Sequence, residues 1–199
     1  MNKQQQRETA YAARHAQIDK GLNSAKICSH LIQQAWYQAA QTVLWYVHCR
    51  SEVRTLPVIQ QQLQTGKKLV VPYCTVNQYG EKCLGLWRLE AIEELCPGMW
   101  NIPEPPNQRR QEPEKQVLIE ELDVIIVPGV AFDTQGGRLG NGAGYYDRLM
   151  EKVRPDAVLA GVCYQSQIMP EIIMQIHDVY MDYVVTEQAI YTGKRYFLT

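Results

Sequence analysis

Residues 122–149 read LDVIIVPGVAFDTQGGRLGNGAGYYDRL, an apolar run that passes directly into glycine. Five of the chain's 13 glycines, at 136, 137, 140, 142 and 144, crowd into the second part. A short, unbroken apolar run bounded by turn residues is a strand buried on both faces, the kind found in parallel sheets. Open α/β sheets bind ligands in the crevice beyond the carboxyl ends of such strands. Glycines there let the backbone approach an anion closely, and the helix that follows, over 145–152, offers unpaired N–H groups. Two familiar phosphate motifs are absent. No Gly-Lys-Ser or Gly-Lys-Thr occurs, so there is no Walker loop, and GNGAG has the wrong spacing and distance for a dinucleotide fingerprint. Glycine spacing alone leaves phosphate binding and a structural turn both open.

The rest of the chain repeats a strand–helix rhythm. TVLWYV (42–47), KKLVVPY (67–73), AVLAGVCY (157–164) and DYVVT (182–186) read as strands. A polar first segment carries a weak helical stripe of Ala10, Ala12, Ala13, Ala16 and Ile18. Asn23 or Ser24 is placed to cap a second helix bearing Ile27, Leu31 and Ala35. A third helix is predicted near 56–65, with Thr55 as cap, Pro57 in its first turn and Gly66 beyond its end. CLGLWRL reads as a further strand, and the segment from Cys96 to Glu114, with half of the chain's 10 prolines, as an extended loop. The expected fold is a single three-layer α/β/α domain over residues 1–199, with a largely parallel central sheet.

Composition removes several function classes. A formal net charge of −1 leaves no electrostatic footprint for nucleic acid or an anionic membrane surface. The 6 cysteines form no C-x-x-C pair and the 4 histidines do not cluster with them, so they read as reduced thiols of an intracellular protein. No apolar run approaches the ~20 residues of a membrane span, and the amino terminus is too polar for a secretory signal. A cytoplasmic, monomeric protein acting on small molecules is expected.

The neighbours of the glycines favour phosphate. Arg138 lies within the stretch as a forked cation suited to phosphate oxygens. Asp147 falls in the first turn of the next helix. There a carboxylate either complements the helix dipole or serves as a magnesium ligand alongside nucleotide phosphates; spacing does not choose between them.

The stretch PGVAFDTQGGRLGNGAGYYDRLM resembles the signature of the 5-formyltetrahydrofolate cyclo-ligases, approximately P-G-[LV]-A-F-D-x-x-G-x-R-L-G-x-G-x-G-Y-Y-D. Other segments follow in the family's order. KQQQR (3–7) is similar to its amino-terminal K-x-x-x-R, SEVRT (51–55) to its E-[VIL]-x-T, and WNIPEP (100–105) to its I-x-E-P. MPEIIMQIHDVYMDYVVTE is similar to its final P-x-x-x-x-D-x-x-x-D-x-[VI]-[VI]-T, so the likeness covers nearly the whole chain.

The resemblance implies an ATP- and magnesium-dependent ligase of one-carbon metabolism. Such an enzyme converts 5-formyltetrahydrofolate to 5,10-methenyltetrahydrofolate with release of ADP and phosphate. Carried over by motif, Lys3, Arg7, Arg138 and the backbone of Leu139, Gly140, Asn141, Gly142, Ala143, Gly144, Tyr145 and Tyr146 hold ATP. Arg138 and Tyr146 serve the transfer itself, and Asp147 and Asp182 bind magnesium. Glu52 faces the polar edge of the pterin, with Val47, Trp100 and Tyr145 flanking the folate. Without the resemblance, Lys3 and Arg7 would read as a solvated terminus, Asp182 as a strand-entry aspartate, Glu52 as a surface carboxylate and Trp100 as a loop anchor. Asn141 departs from members that carry a basic residue there, and Arg54 has no assignable role. Two other readings are a protein that sequesters reduced folate without turnover, and, by fold analogy alone, an enzyme of phosphorylated sugars.

Overall fold

The computed structural model describes residues 1–98, 101–176 and 178–197. Helices α1 (Lys3–Ala16), α2 (Lys20–Ile32) and α3 (Ala35–Ala39) precede strand β1 (Thr42–Leu44). Helix α4 (Leu56–Gln62) leads to a hairpin of β2 (Lys68–Val76) and β3 (Lys82–Leu89). The proline-rich segment is pinched by β4 (Cys96–Pro97) and β5 (Pro103–Glu104). Strand β6 (Val124–Pro128) runs into a second hairpin, β7 (Ala131–Asp133) and β8 (Arg138–Leu139), and then helix α5 (Tyr145–Met150). Strands β9 (Val158–Val162), β10 (Ile168–Met169), β11 (Tyr183–Val185) and β12 (Ile190–Thr192) complete the chain.

The central sheet has the order β12-β11-β9-β6-β1-β2-β3. Its inner strands, β11 to β2, are mutually parallel, and β3 and β12 close the edges antiparallel. Strict alternation along each strand feeds two cores. Val43, Leu69, Val71, Val124 and Ile126 pack with α2, α3 and α4 on one face. Leu44, Val70, Ile125 and Val127 pack with Phe132 of the hairpin and with Leu149 and Met150 of α5 on the other. Each such fully buried side chain contributes about 1.5–3 kcal/mol, so these short strands hold because both faces are covered. The expected α/β architecture with a mostly parallel sheet is the one observed.

Three local departures have physical causes. Helix α2 begins at Lys20, after Asp19 in the left-handed region at φ 50°, instead of at Asn23 or Ser24. The Ser24 hydroxyl is engaged elsewhere, accepting from the Arg54 N–H at 3.0 Å and meeting the Tyr164 hydroxyl at 3.0 Å. In α1 only Ala10 of the expected stripe is buried: the docked face is Gln6, Ala10 and Arg14. Ala10 packs on Val130, Ala131 and Leu139 of the second hairpin. That hairpin is the third departure, because the glycine stretch does not begin as open loop. Asp133 accepts from the N–H groups of Gln135 (2.9 Å) and Gly137 (2.8 Å), and Gly136 turns the chain at φ 89°.

Candidate active site

Sequence order along the sheet reverses between β1 and β6: one half of the strands spreads to one side, the other half to the opposite side. The crevice above such a point, at the carboxyl ends, is where doubly wound sheets hold ligands. A cleft of about 430 Å³ opens there, bordered by Tyr46 and Val47 beyond β1, Pro72 to Cys74 of β2, and Pro128 and Gly129 at the end of β6. The glycine loop from Gly140 to Gly144, with Tyr145, Tyr146 and Asp147, forms its opposite wall.

The loop is held from α1. The Arg7 Nε donates to the Gly140 carbonyl at 3.0 Å, and the Tyr11 hydroxyl donates to the Asn141 side chain. Gly142 and Gly144 stand at φ 92° and 69°, a region that β-carbon-bearing residues rarely adopt. A β-carbon on Gly142 would find nothing closer than the Arg7 guanidinium at 3.8 Å, so its backbone angle and not crowding selects glycine. Below the loop, Arg138 is buried; its Nη1 donates to the Pro128 carbonyl at 3.1 Å and its Nη2 to the Asp147 carboxylate. Asp147 keeps 30% of its side chain exposed.

Glu52 sits on the opposite side, in a tight turn. Its N–H donates to the Cys49 carbonyl at 3.1 Å and its Oε2 accepts from the Cys49 N–H at 2.9 Å. Arg50 between them takes φ 53°. Burial pushes the Glu52 carboxyl above the usual range, opposed by the Cys49 N–H and by Arg14 and Arg50. The Tyr146 hydroxyl is buried with no hydrogen-bond partner among the described residues. Burial and the nearby Glu52 charge push its pKa well above that of an ordinary phenol, so it remains a proton donor.

The structure gathers most of the residues singled out from sequence around this cleft: Val47, Glu52, Arg138 and the stretch 140–147, with Arg7 behind the loop. Leu139 is buried in β8 beneath it. Lys3 lies off the cleft and pairs with Asp178 at 2.9 Å. Trp100 lies outside the described residues, although Ile102 and Glu104 of the same segment line the cleft.

Asp182 requires correction. It immediately precedes β11, at the amino ends of the parallel strands, whereas Asp147 stands beyond their carboxyl ends. Its carboxylate accepts from the Leu159 N–H at 2.7 Å and from Arg195, and only 5% of the side chain is exposed. Burial raises its pKa against both partners. A metal ion shared by Asp147 and Asp182 is therefore not compatible with this fold.

Sequence reasoning also missed cleft residues, notably Tyr11 and Arg14. Their signal was available: Arg7, Tyr11 and Arg14 recur at i, i+4 and i+7, one face of α1.

The sequence model described as the 5-formyltetrahydrofolate cyclo-ligase family matches residues 1–187. A Schizosaccharomyces pombe protein named probable 5-formyltetrahydrofolate cyclo-ligase is 31% identical over 84% of this chain and 85% of its own length. The mouse 5-formyltetrahydrofolate cyclo-ligase is 27% identical over 83% of each chain. The NMR structure of Aquifex aeolicus 5,10-methenyltetrahydrofolate synthetase superimposes with a TM-score of 0.80 at 29% identity, covering 98% of this chain and 94% of that one. Among the described residues no helix is long and apolar enough to cross a membrane.

Proposed function

The chain belongs to the 5-formyltetrahydrofolate cyclo-ligase family, and on that premise we propose how its own residues perform the ligase reaction with ATP and magnesium. The N5-formyl group is amide-like and a poor electrophile. Transfer of the ATP γ-phosphoryl group to the formyl oxygen leaves ADP and an iminium phosphate. N10 then attacks the activated carbon and gives up its proton to solvent or the departing phosphate; the C–N bond forms, the C–O bond breaks, and phosphate departs with the formyl oxygen, giving the 5,10-methenyl ring. Little covalent chemistry falls to the protein; positioning and charge neutralisation carry the rate.

The observation that carries this reading is the convergence of a positive-φ glycine loop, the Arg138–Asp147 pair and a part-buried carboxylate, Glu52, on one cleft at the sheet's switch point. In this reading the loop from Leu139 to Tyr146 cradles the ATP phosphates, with Arg7 fixing its path. Arg138 neutralises charge on the transferred group, and the protonated Tyr146 hydroxyl donates to the reacting oxygens. Lys3, held by Asp178 at 2.9 Å, has further ammonium donors to offer ATP. Glu52 accepts the paired N–H groups of the pterin's amino-pyrimidine edge, flanked by Val47 and Tyr145; Trp100 is retained as a flanking residue by motif alone.

Magnesium typically takes one or two protein carboxylates together with phosphates and water. Asp147, part-exposed beside the loop, fits that role; Asp182 does not. Bound there, the ion would supply charge neutralisation to the ATP phosphates.

Incubation with ATP, Mg²⁺ and 5-formyltetrahydrofolate tests the proposal. Near-ultraviolet absorbance of the methenyl product should rise in step with ADP, and ADP release should require the folate. Tight folate binding without ADP would mean sequestration instead of turnover.

A further inference from the structure

We propose that Arg14 is a positioning residue for substrate recognition, its guanidinium holding the Glu52 carboxylate charged and aimed at the substrate ring. The inference rests on the reading of Glu52 as the pterin's acceptor. Arg14 is buried on α1 and carries no role in the family motif set out above. Its Nε donates to the Ser51 hydroxyl at 3.0 Å, and its guanidinium lies 5.1 Å from the Tyr11 ring centre, so its plane is held on two sides. Its Nη1 then stands 3.8 Å from Glu52 Oε1, too long for a hydrogen bond, and is buried with no such partner among the described residues. A buried guanidinium nitrogen held this way has one electrostatic purpose in view, the carboxylate beside it.

That carboxylate needs the help. To accept from an amino-pyrimidine edge Glu52 must be ionised, yet only 15% of its side chain is exposed, at the wall of a cleft that a bound substrate would dry further. The other groups that face it contribute no positive charge except Arg50. Cys49 of the same turn, Tyr46 beyond β1 and Tyr146 of α5 are all held protonated, in each case chiefly by burial and further by the Glu52 charge. The Tyr164 hydroxyl, from the loop after β9, donates to the Glu52 main-chain carbonyl at 3.2 Å and not to its carboxylate. Arg50 is solvent-exposed, so water screens its charge, whereas the Arg14 side chain is only 6% exposed and its charge is screened less. Burial raises the carboxyl and Arg14 opposes the rise; without Arg14 the group protonates at higher pH, and the acceptor is lost as pH falls through that raised value.

Titration calorimetry of 5-formyltetrahydrofolate without ATP, from about pH 6 to about pH 8.5, decides the matter. Wild type should bind with nearly constant affinity. Arg14→Met should bind at least about ten-fold more weakly at the acid end, a difference of ~1.4 kcal/mol, and recover towards wild type at the alkaline end. Arg14→Lys should restore most of the acid-end affinity, and ATP affinity should be unchanged in both. In the Glu52→Gln background, adding Arg14→Met should cause no further loss. A pH-independent loss in Arg14→Met, or an equal loss in the Glu52→Gln background, would make Arg14 a packing residue and overturn the inference. Should Arg14→Met not fold, Arg14→Gln, which also removes the charge, replaces it on the same criteria. If Glu52→Gln itself binds folate as wild type does, the Glu52 reading fails first and takes the inference with it.

Discussion

Two arginine–aspartate pairs stand at opposite ends of the same sheet. Arg138–Asp147 lies beyond the carboxyl ends, against the glycine loop; Arg195–Asp182 lies at the amino ends, between β9 and β11. Their chemistry is the same and their surroundings are not. Asp147 is 30% exposed and borders the cleft, while Asp182 is 5% exposed and its carboxylate also takes the Leu159 N–H. Arg195 is itself tied to the Ala157 and Pro155 carbonyls, at 2.9 and 3.1 Å. One pair is open to a ligand; the other fastens the carboxyl-terminal segment to the sheet. Position relative to strand ends, not residue type, separates a carboxylate that borders the cleft from one enclosed in an ion pair at the far end of the sheet.

The largest effect tests the architectural pair. Breaking a buried ion pair by removing one partner costs about 3–5 kcal/mol, so Asp182→Ala should lose stability on that scale in urea denaturation. Whatever protein remains folded should keep the wild-type magnesium dependence. A stable Asp182→Ala with altered magnesium dependence would erase the distinction drawn here. Asp147→Asn should show the reverse balance: the Asn carbonyl can still accept from the buried Arg138, so stability should fall by no more than about 1.5–3 kcal/mol, while turnover falls about 100-fold, or ~2.7 kcal/mol. Part of that rate should return at high Mg²⁺, and an unchanged magnesium dependence would remove Asp147 from the metal.

Gly142→Ala probes the loop between these extremes. With room for a β-carbon but φ at 92°, the strain should weaken ATP binding about ten-fold while folate affinity holds and stability falls by about 1–2 kcal/mol. Early melting with normal ATP binding by the folded fraction would make the loop architecture. The smallest effect comes from an exposed pair. Lys68 and Glu121 meet at 2.7 Å with side chains 36% and 39% exposed, and Glu121→Gln should change stability by less than about 1 kcal/mol. That substitution sets the scale against which burial at Asp182 is read.

Much of this could be read before the fold was in view. VIIVP, LVV and the alternating cores of β1 and β6 announce themselves because both faces of an inner parallel strand are apolar. The glycine loop was legible through its motif. The hairpin beneath it was not, since Gly136 and Gly137 read equally as loop, and only the Asp133 side chain reveals the turn. Arg14 is legible only through its spacing from Arg7 and Tyr11, because a buried face of Gln6, Ala10 and Arg14 is a pattern that hydrophobic periodicity passes over. Asp182 was assigned by motif although its place before YVV, at a strand's start, already set it at the end of the sheet away from the cleft.

The contact between α1 and the glycine loop has a consequence for the order in which the protein assembles. Arg7 and Gly140 are 133 residues apart in sequence. During synthesis the first helix leaves the ribosome long before the loop it steadies, and closing so long a span comes late in folding. On its own, α1 has almost no apolar face to hide, so it can wait in solvent without inviting aggregation. The glycine-loop wall is thus the last part of the cleft to set. In pulse-labelled refolding, amide protection in α1 should lag that in β1 and β6; simultaneous protection would show the helix docking early.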